Sequence, residues 1–250
     1  LHAVALSGEV DCLNLLVERN LQFCKEKANS VTNKNKTPLW IATRNNNEIT
    51  AFILLYTLGA NPMHETKPGK NLLYCACTAG NFMLVDHYYT YHKVSATCVT
   101  PKSVTPGYIS AACGHMEIFR YFVENLKLTI EKDEKDETIE YMKPESPLFG
   151  AVHHLHYDMV QYLVERCKVN LNPLDENNLI PLAFARNTRI ASLLVQYGAP
   201  VNFRSGETGY NIFSNALRYD TPLDLFQYFV EQAGYQFNYQ RQDLSFEYVN

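Results

Sequence analysis

Apolar residues along this chain fall in short stripes spaced three and four apart: Ile49, Phe52 and Ile53; Ile118, Phe119 and Phe122; Met159, Val160 and Leu163; Leu225, Phe226 and Phe229. That spacing is the helical period, so each stripe predicts a helix burying one face, and together the stripes are expected to form the core between stacked units. A second kind of helix opens on a proline, as in Thr37-Pro38-Leu39, Ser146-Pro147-Leu148 and Ile180-Pro181-Leu182. Pro38, Pro106, Pro147 and Pro181 suit a first helical turn, where the missing N–H costs nothing and φ is already helical. Thr37, Thr105 and Ser146 before them are good N-caps. Gly59 and Gly198 fall where a helix must end in a left-handed residue. Each block therefore predicts a helix, a tight turn, a second helix and a projecting loop.

Taking the residue after each proline position as an anchor gives Leu1, Leu39, Leu73, Gly107, Leu148, Leu182 and Ile212, with spacings of 38, 34, 34, 41, 34 and 30. A period near 34 means one supersecondary unit copied end to end, and ankyrin and tetratricopeptide repeats share it. The residues inside the block separate the two. Leu1-His2, Ser7-Gly8 and Leu13, Leu15, Leu16 and Val17 in the first block, with Ala111, Gly114-His115-Met116-Glu117-Ile118 and Phe122-Val123-Glu124 in the fourth, resemble the ankyrin pattern. The block endings Gly59-Ala60-Asn61-Pro62 and Gly198-Ala199-Pro200-Val201-Asn202 do so too. The resemblance implies an all-α ankyrin-repeat solenoid of about seven helix-turn-helix repeats with projecting finger loops. One array is expected over 1–250, with repeats opening near 1, 37, 71, 105, 146, 180 and 210. Leu1 enters at the third residue of the motif and neither end shows a polar capping face, so an interior segment of a longer protein is expected, with Leu244 to Asn250 beginning a further unit.

Small residues three places after the anchor, Ala42, Ala76, Ser110, Ala151 and Ala185, are expected to let neighbouring inner helices approach closely. His2, His115 and His156 take the positions of the family's motif histidines, whose imidazoles imply bonds to backbone between repeats.

Composition narrows the function classes. A formal charge of -4 argues against nucleic-acid binding, which needs a basic face. The longest apolar stretch, around Ala51 to Leu58, is too short to cross a bilayer. Phosphate loops, nucleophile elbows, zincin motifs and EF-hand spacings are absent, so the segment is read as non-enzymatic and without cofactor. Cys12, Cys24, Cys75, Cys77, Cys98, Cys113 and Cys167 are odd in number and without a C-x-x-C pair, which favours buried packing in a reducing, cytoplasmic compartment. His153, His154 and His156 form a cluster, but no partner at ligand spacing completes a metal site. Asn35-Lys36-Thr37 is formally a glycosylation sequon, read as incidental because Thr37 is the repeat's N-cap.

Three stretches depart from the repeat. The segment 131–145 carries Glu131, Asp133, Glu134, Asp136, Glu137, Glu140 and Glu145 against Lys132, Lys135 and Lys143, an acidic excess equal to that of the whole chain. It reads as a lengthened finger that meets a basic partner or stays solvated, with Tyr141 favouring contact. In the sixth block Arg186-Asn187-Thr188-Arg189 replaces a longer helix, turn and helix start, and its two arginines are expected to be helix-dipole partners or solvated. In the third block Asp86-His87-Tyr88-Tyr89-Thr90-Tyr91-His92 places aromatic and polar side chains together on an outer helix.

The resemblance implies recognition of a partner protein through the concave face, built from finger tips and inner helices. By that geometry the candidate contacts are Asn33, Lys34, Asn35, Trp40, Lys67, Lys70, Tyr74, Tyr108, Phe149 and Arg204, with Glu131, Asp133, Glu134, Asp136, Glu137 and Tyr141 of the lengthened finger. Trp40 ranks first because it is the sole Trp, although burial between the first two repeats competes with that reading. A structural subunit of a cytoskeletal or ciliary assembly, and a regulatory arm of an enzyme or channel, are the alternatives.

Overall fold

The computed structural model describes residues 1–97, 100, 104–128, 146–175, 178–206, 209, 211–218 and 221–236. The acidic segment 131–145, Cys98 and the segment 244–250 lie outside the described residues.

Inner helices follow the proline phase: α1 (His2–Ser7), α4 (Pro38–Arg44), α6 (Leu72–Ala79), α8 (Pro106–Ala112), α10 (Pro147–His153) and α13 (Ile212–Arg218), with a single 3₁₀ turn, Pro181–Phe184, in the sixth unit. Outer helices alternate with them: α2 (Val10–Arg19) with α3 (Leu21–Lys27), α5 (Glu48–Phe52), α7 (Phe82–Thr90), α9 (Met116–Arg120), α11 (Tyr157–Tyr162), α12 (Thr188–Gln196) and α14 (Leu223–Gln227). The first outer helix is split where Asn20 leaves helical geometry and caps α3. Each inner segment packs on the next along the chain, so the architecture is a stack in which a unit touches its neighbours.

Caps fix where the helices begin. Thr37, Asn71 and Thr105 each accept a hydrogen bond from the N–H three residues on, at Trp40, Tyr74 and Tyr108. Outer helices end by loosening. α5, α9, α11 and α14 run into π-helical turns at Ile53–Thr57, Tyr121–Asn125, Leu163–Cys167 and Tyr228–Gln232, whose wider bonds occupy the last carbonyls. Short hairpin-like fingers follow, closed by Thr32 N–H to Lys36 O, Thr66 N–H to Lys70 O and Asp175 N–H to Leu179 O. Among the described residues the nearest approach to a β-structure is the bridge between Arg204 and Asn211.

Ala42, Ala76, Ser110, Ala151 and Ala185 are all buried between units. The fifth unit goes further, with Gly150 so near Ala112 that an added Cβ would lie 2.7 Å from the alanine Cβ. The core divides within the fourth unit, Ile118 and Phe122 packing towards earlier units and Phe119 and Ala111 towards later ones.

One stripe needs correction. Ile49 is 61% exposed, and α5 buries Thr50 and Ala51 instead, with Leu54 buried in the π-helical turn that follows. The helix begins after Asn47, which occupies the place of His115, so its burial phase runs one residue later than the apolar residues suggest.

Candidate functional site

Trp40, Tyr74, Tyr108 and Phe149 occupy the same register, the third residue of their helices, two places after the proline position. A helical Cβ tilts towards the N-terminus, so each ring leans towards the finger preceding its helix. Trp40, Tyr74 and Tyr108 are half-buried, and α4, α6 and α8 pack in succession, which brings the three rings into one row. Phe149 is only 8% exposed, edge-on to Phe184, so the row closes at the fifth unit. The Trp40 ring rests against the core, and its indole N–H is covered without an acceptor among the described residues.

Lysines attend this row. The Lys36 ammonium stands 4.3 Å from the Trp40 ring centroid, and that of Lys70 stands 5.3 Å from the Tyr74 ring. Lys36 was not among the sequence-derived candidates, although it lies three residues before its anchor as Lys70 does. Arg44, at the exposed end of α4, was also missed. Burial pushes the Tyr74 hydroxyl up, an effect the Arg44 guanidinium opposes. Burial likewise pushes the neighbouring Cys75 thiol up to about 12.

Asn33, Lys34, Asn35 and Lys67 are exposed on the first two fingers, and Lys70 is half-buried. Asn35 is held in place: its amide donates to the carbonyls of Glu65 and Thr66, at 3.0 and 3.3 Å, and His64 Nε2 lies 2.8 Å from the Asn35 carbonyl. The two fingers therefore brace one another. Arg204 stands apart on the sixth finger, donating to the Gly209 carbonyl at 3.2 Å. Glu131, Asp133, Glu134, Asp136, Glu137 and Tyr141 lie outside the described residues.

The histidines divide by task. His2 Nε2 lies 3.1 Å from the Lys36 carbonyl, His115 Nε2 3.4 Å from that of Thr78, and His156 Nε2 3.0 Å from that of Ala112. Asn47 does the same work with an amide, donating to Ala5 O at 2.9 Å. His153, His154 and His156 pack ring against ring, and among the described residues no three potential metal ligands converge.

In the sixth unit the turn residue Asn187 caps its own helix, accepting from the Arg189 and Ile190 N–H groups, and here the expectation for the unit's arginines is corrected. Arg186 Nη2 donates to the His153 carbonyl at 2.9 Å, and the Arg189 guanidinium stacks 3.6 Å over the Tyr157 ring. Both arginines bridge to the fifth unit. Arg189 moreover lies in the first turn of α12, where the helix dipole disfavours a cation.

On the outer helices hydroxyls link successive units. Tyr121 donates to Asp86, Tyr162 to Glu124 at 2.7 Å, and Thr188 to Asp224 at 2.7 Å. Tyr56 bonds His87 within a ring cluster that includes Phe52, Tyr91 and His92.

No model of a protein family matches the chain, and no curated protein does. Among solved structures the ankyrin repeat domain of human ASB11 is similar over 88% of this chain and 98% of that one, with a TM-score of 0.64 and 21% sequence identity. The fold is that of an ankyrin-repeat array. At that identity the likeness carries the ankyrin architecture alone. No described helix of the ankyrin array is long and apolar enough to cross a membrane.

Proposed function

We propose that this ankyrin array is a non-catalytic interaction module that takes a partner protein on the inner-helix and finger face of its second, third and fourth units. The observation that carries the reading is the row Trp40, Tyr74 and Tyr108, half-open and repeated at one register on adjacent helices. Large aromatic side chains held rigidly by packing are the residues that anchor protein interfaces. The fingers beside them are mutually hydrogen-bonded, so little ordering entropy is lost on binding. The buried thiols suit a reducing compartment.

The test is affinity capture from the source cell with the wild-type chain, a Trp40→Ala/Tyr74→Ala/Tyr108→Ala variant and an outer-face Asp86→Ala/Glu124→Ala variant, all checked for cooperative melting. The reading expects proteins captured by the wild type and the outer-face variant and lost from the aromatic variant. Capture that survives the aromatic variant and fails with the outer-face one contradicts it.

A further inference from the structure

Charge is sorted by face over residues 1–128, ahead of the acidic segment 131–145. The acids of residues 1–128, Glu65 excepted, lie on outer helices or their caps and end turns, Glu48, Asp86, Glu117 and Glu124 among them. The inner helices α1, α4, α6 and α8 carry no acid, and α4 ends in Arg44. The fingers contribute Lys34, Lys36, Lys67 and Lys70, against the single carboxylate of Glu65, which accepts from the Gly69 N–H at 3.2 Å. A chain with a net charge of -4 thus sets lysines beside Trp40 and Tyr74.

We infer that this face takes an extended acidic peptide segment of a partner protein, with carboxylates three residues apart meeting Lys36 and Lys70. The inference rests on the reading of this face as the recognition surface and adds its chemistry. Lys36 and Lys70 repeat at one register on fingers joined to adjacent packed helices. Packed helices are separated by about 8–10 Å, which about three residues of extended chain in the polyproline II conformation span at about 3.1 Å each. That conformation has three residues per turn, so acids at i and i+3 point to the same side at the pitch of the lysines. Each ammonium is oriented on its ring, and among the described residues neither meets a carboxylate, so donors remain for an incoming one. The same arrangement disfavours single-stranded nucleic acid. The ammonium groups occupy the ring faces on which bases would stack, and the acidic outer helices repel a polyphosphate.

The test pans a displayed random dodecapeptide library against the full chain, then measures selected peptides by fluorescence anisotropy. Variants are Lys36→Glu/Lys70→Glu, Trp40→Ala and an outer-face Glu48→Lys/Glu117→Lys control, each checked by its melt. Binders enriched in Asp or Glu at i and i+3 are expected, weakened about tenfold or more by Lys36→Glu/Lys70→Glu and by raised salt, and little changed by the outer-face control. Neutral or basic binders that need Trp40 but tolerate Lys36→Glu/Lys70→Glu overturn the acidic inference and leave the recognition face standing. Binders indifferent to Trp40→Ala overturn both. An empty selection, or a single-stranded oligonucleotide that binds where acidic peptides do not, overturns the inference as well.

Discussion

His156 presses its ring so closely on Gly114 that a β-carbon on the glycine would lie 2.6 Å from Nδ1. The glycine also holds φ at +73°, a left-handed conformation. The imidazole thereby reaches across the repeat boundary to the Ala112 carbonyl, which ends an inner helix and needs a donor. The arrangement recurs: Gly80 is packed in the same way under His115, and Gly8 under Asn47. At these three boundaries stacking is held by a rung of one glycine and one polar ring or amide, besides apolar burial.

The two halves of a rung are energetically coupled. His156→Ala is expected to cost about 1–2 kcal/mol by leaving a carbonyl short of a partner. Gly114→Ala is expected to cost about 1–3 kcal/mol from the left-handed backbone and the collision. With the ring gone only the backbone strain remains, so the double variant should fall short of the sum by at least about 0.5 kcal/mol in urea melts. Strict additivity would show that ring and glycine do not meet.

Leu155 breaks the rule at its own rung. It holds φ at +62° where the preceding units have Gly114 and Gly80, and its side chain is 41% exposed. Leu155→Gly should raise stability by about 0.5–1 kcal/mol, because relief of a left-handed branched residue outweighs the added freedom of the unfolded chain. A lowered melting midpoint would contradict this.

The repeat phase, the caps and the turn histidines were legible in the sequence, because each is a local requirement written in one or two residues: Pro38 with Thr37, or Gly114 with His115. The burial phase of α5 was misread because Ile49 looks like core, whereas the cap at Asn47 sets the helix's rotation and a cap is a weaker signal than an apolar residue. The arginines of the sixth unit were misread for another reason. Arg186 and Arg189 act across a boundary to His153 and Tyr157, and nothing local announces a long-range partner. The lysine and aromatic pairs are half legible: Trp40, Tyr74 and Lys70 stand out by residue type and place, whereas Lys36 is marked only by its spacing to Leu39.

At that junction the arginines replace the missing rung. Arg186→Ala should cost about 1 kcal/mol and Arg189→Ala about 0.5–1 kcal/mol. Since units stack as neighbours, both should loosen the sixth and seventh units before the rest. Amide exchange in 188–196 and 212–217 should rise while that of 72–79 stays unchanged. Equal acceleration throughout would refute a local bridge.

The His87 and His92 cluster predicts a pH dependence. Burial holds both below the usual histidine range, and for His87 the neighbouring His92 adds to the effect while Asp86 opposes it. A histidine depressed on folding binds fewer protons than the unfolded chain does. Its stability contribution is complete above the ordinary value of 6.5 and is lost as pH falls through it towards the folded value. Melting midpoints should therefore drop between about pH 7.5 and about pH 5.5, and the drop should shrink in His87→Gln/His92→Gln. An unchanged slope would assign the dependence elsewhere.

The central claim is that the face carrying Trp40, Tyr74 and Tyr108 receives the partner. Hydrogen–deuterium exchange of the chain with and without its captured partner tests this most directly. Protection confined to the fingers at 32–36 and 64–70 and to the inner helices α4, α6 and α8 is the predicted result. Protection of the outer helices α7 and α9 with the inner face unchanged would contradict it.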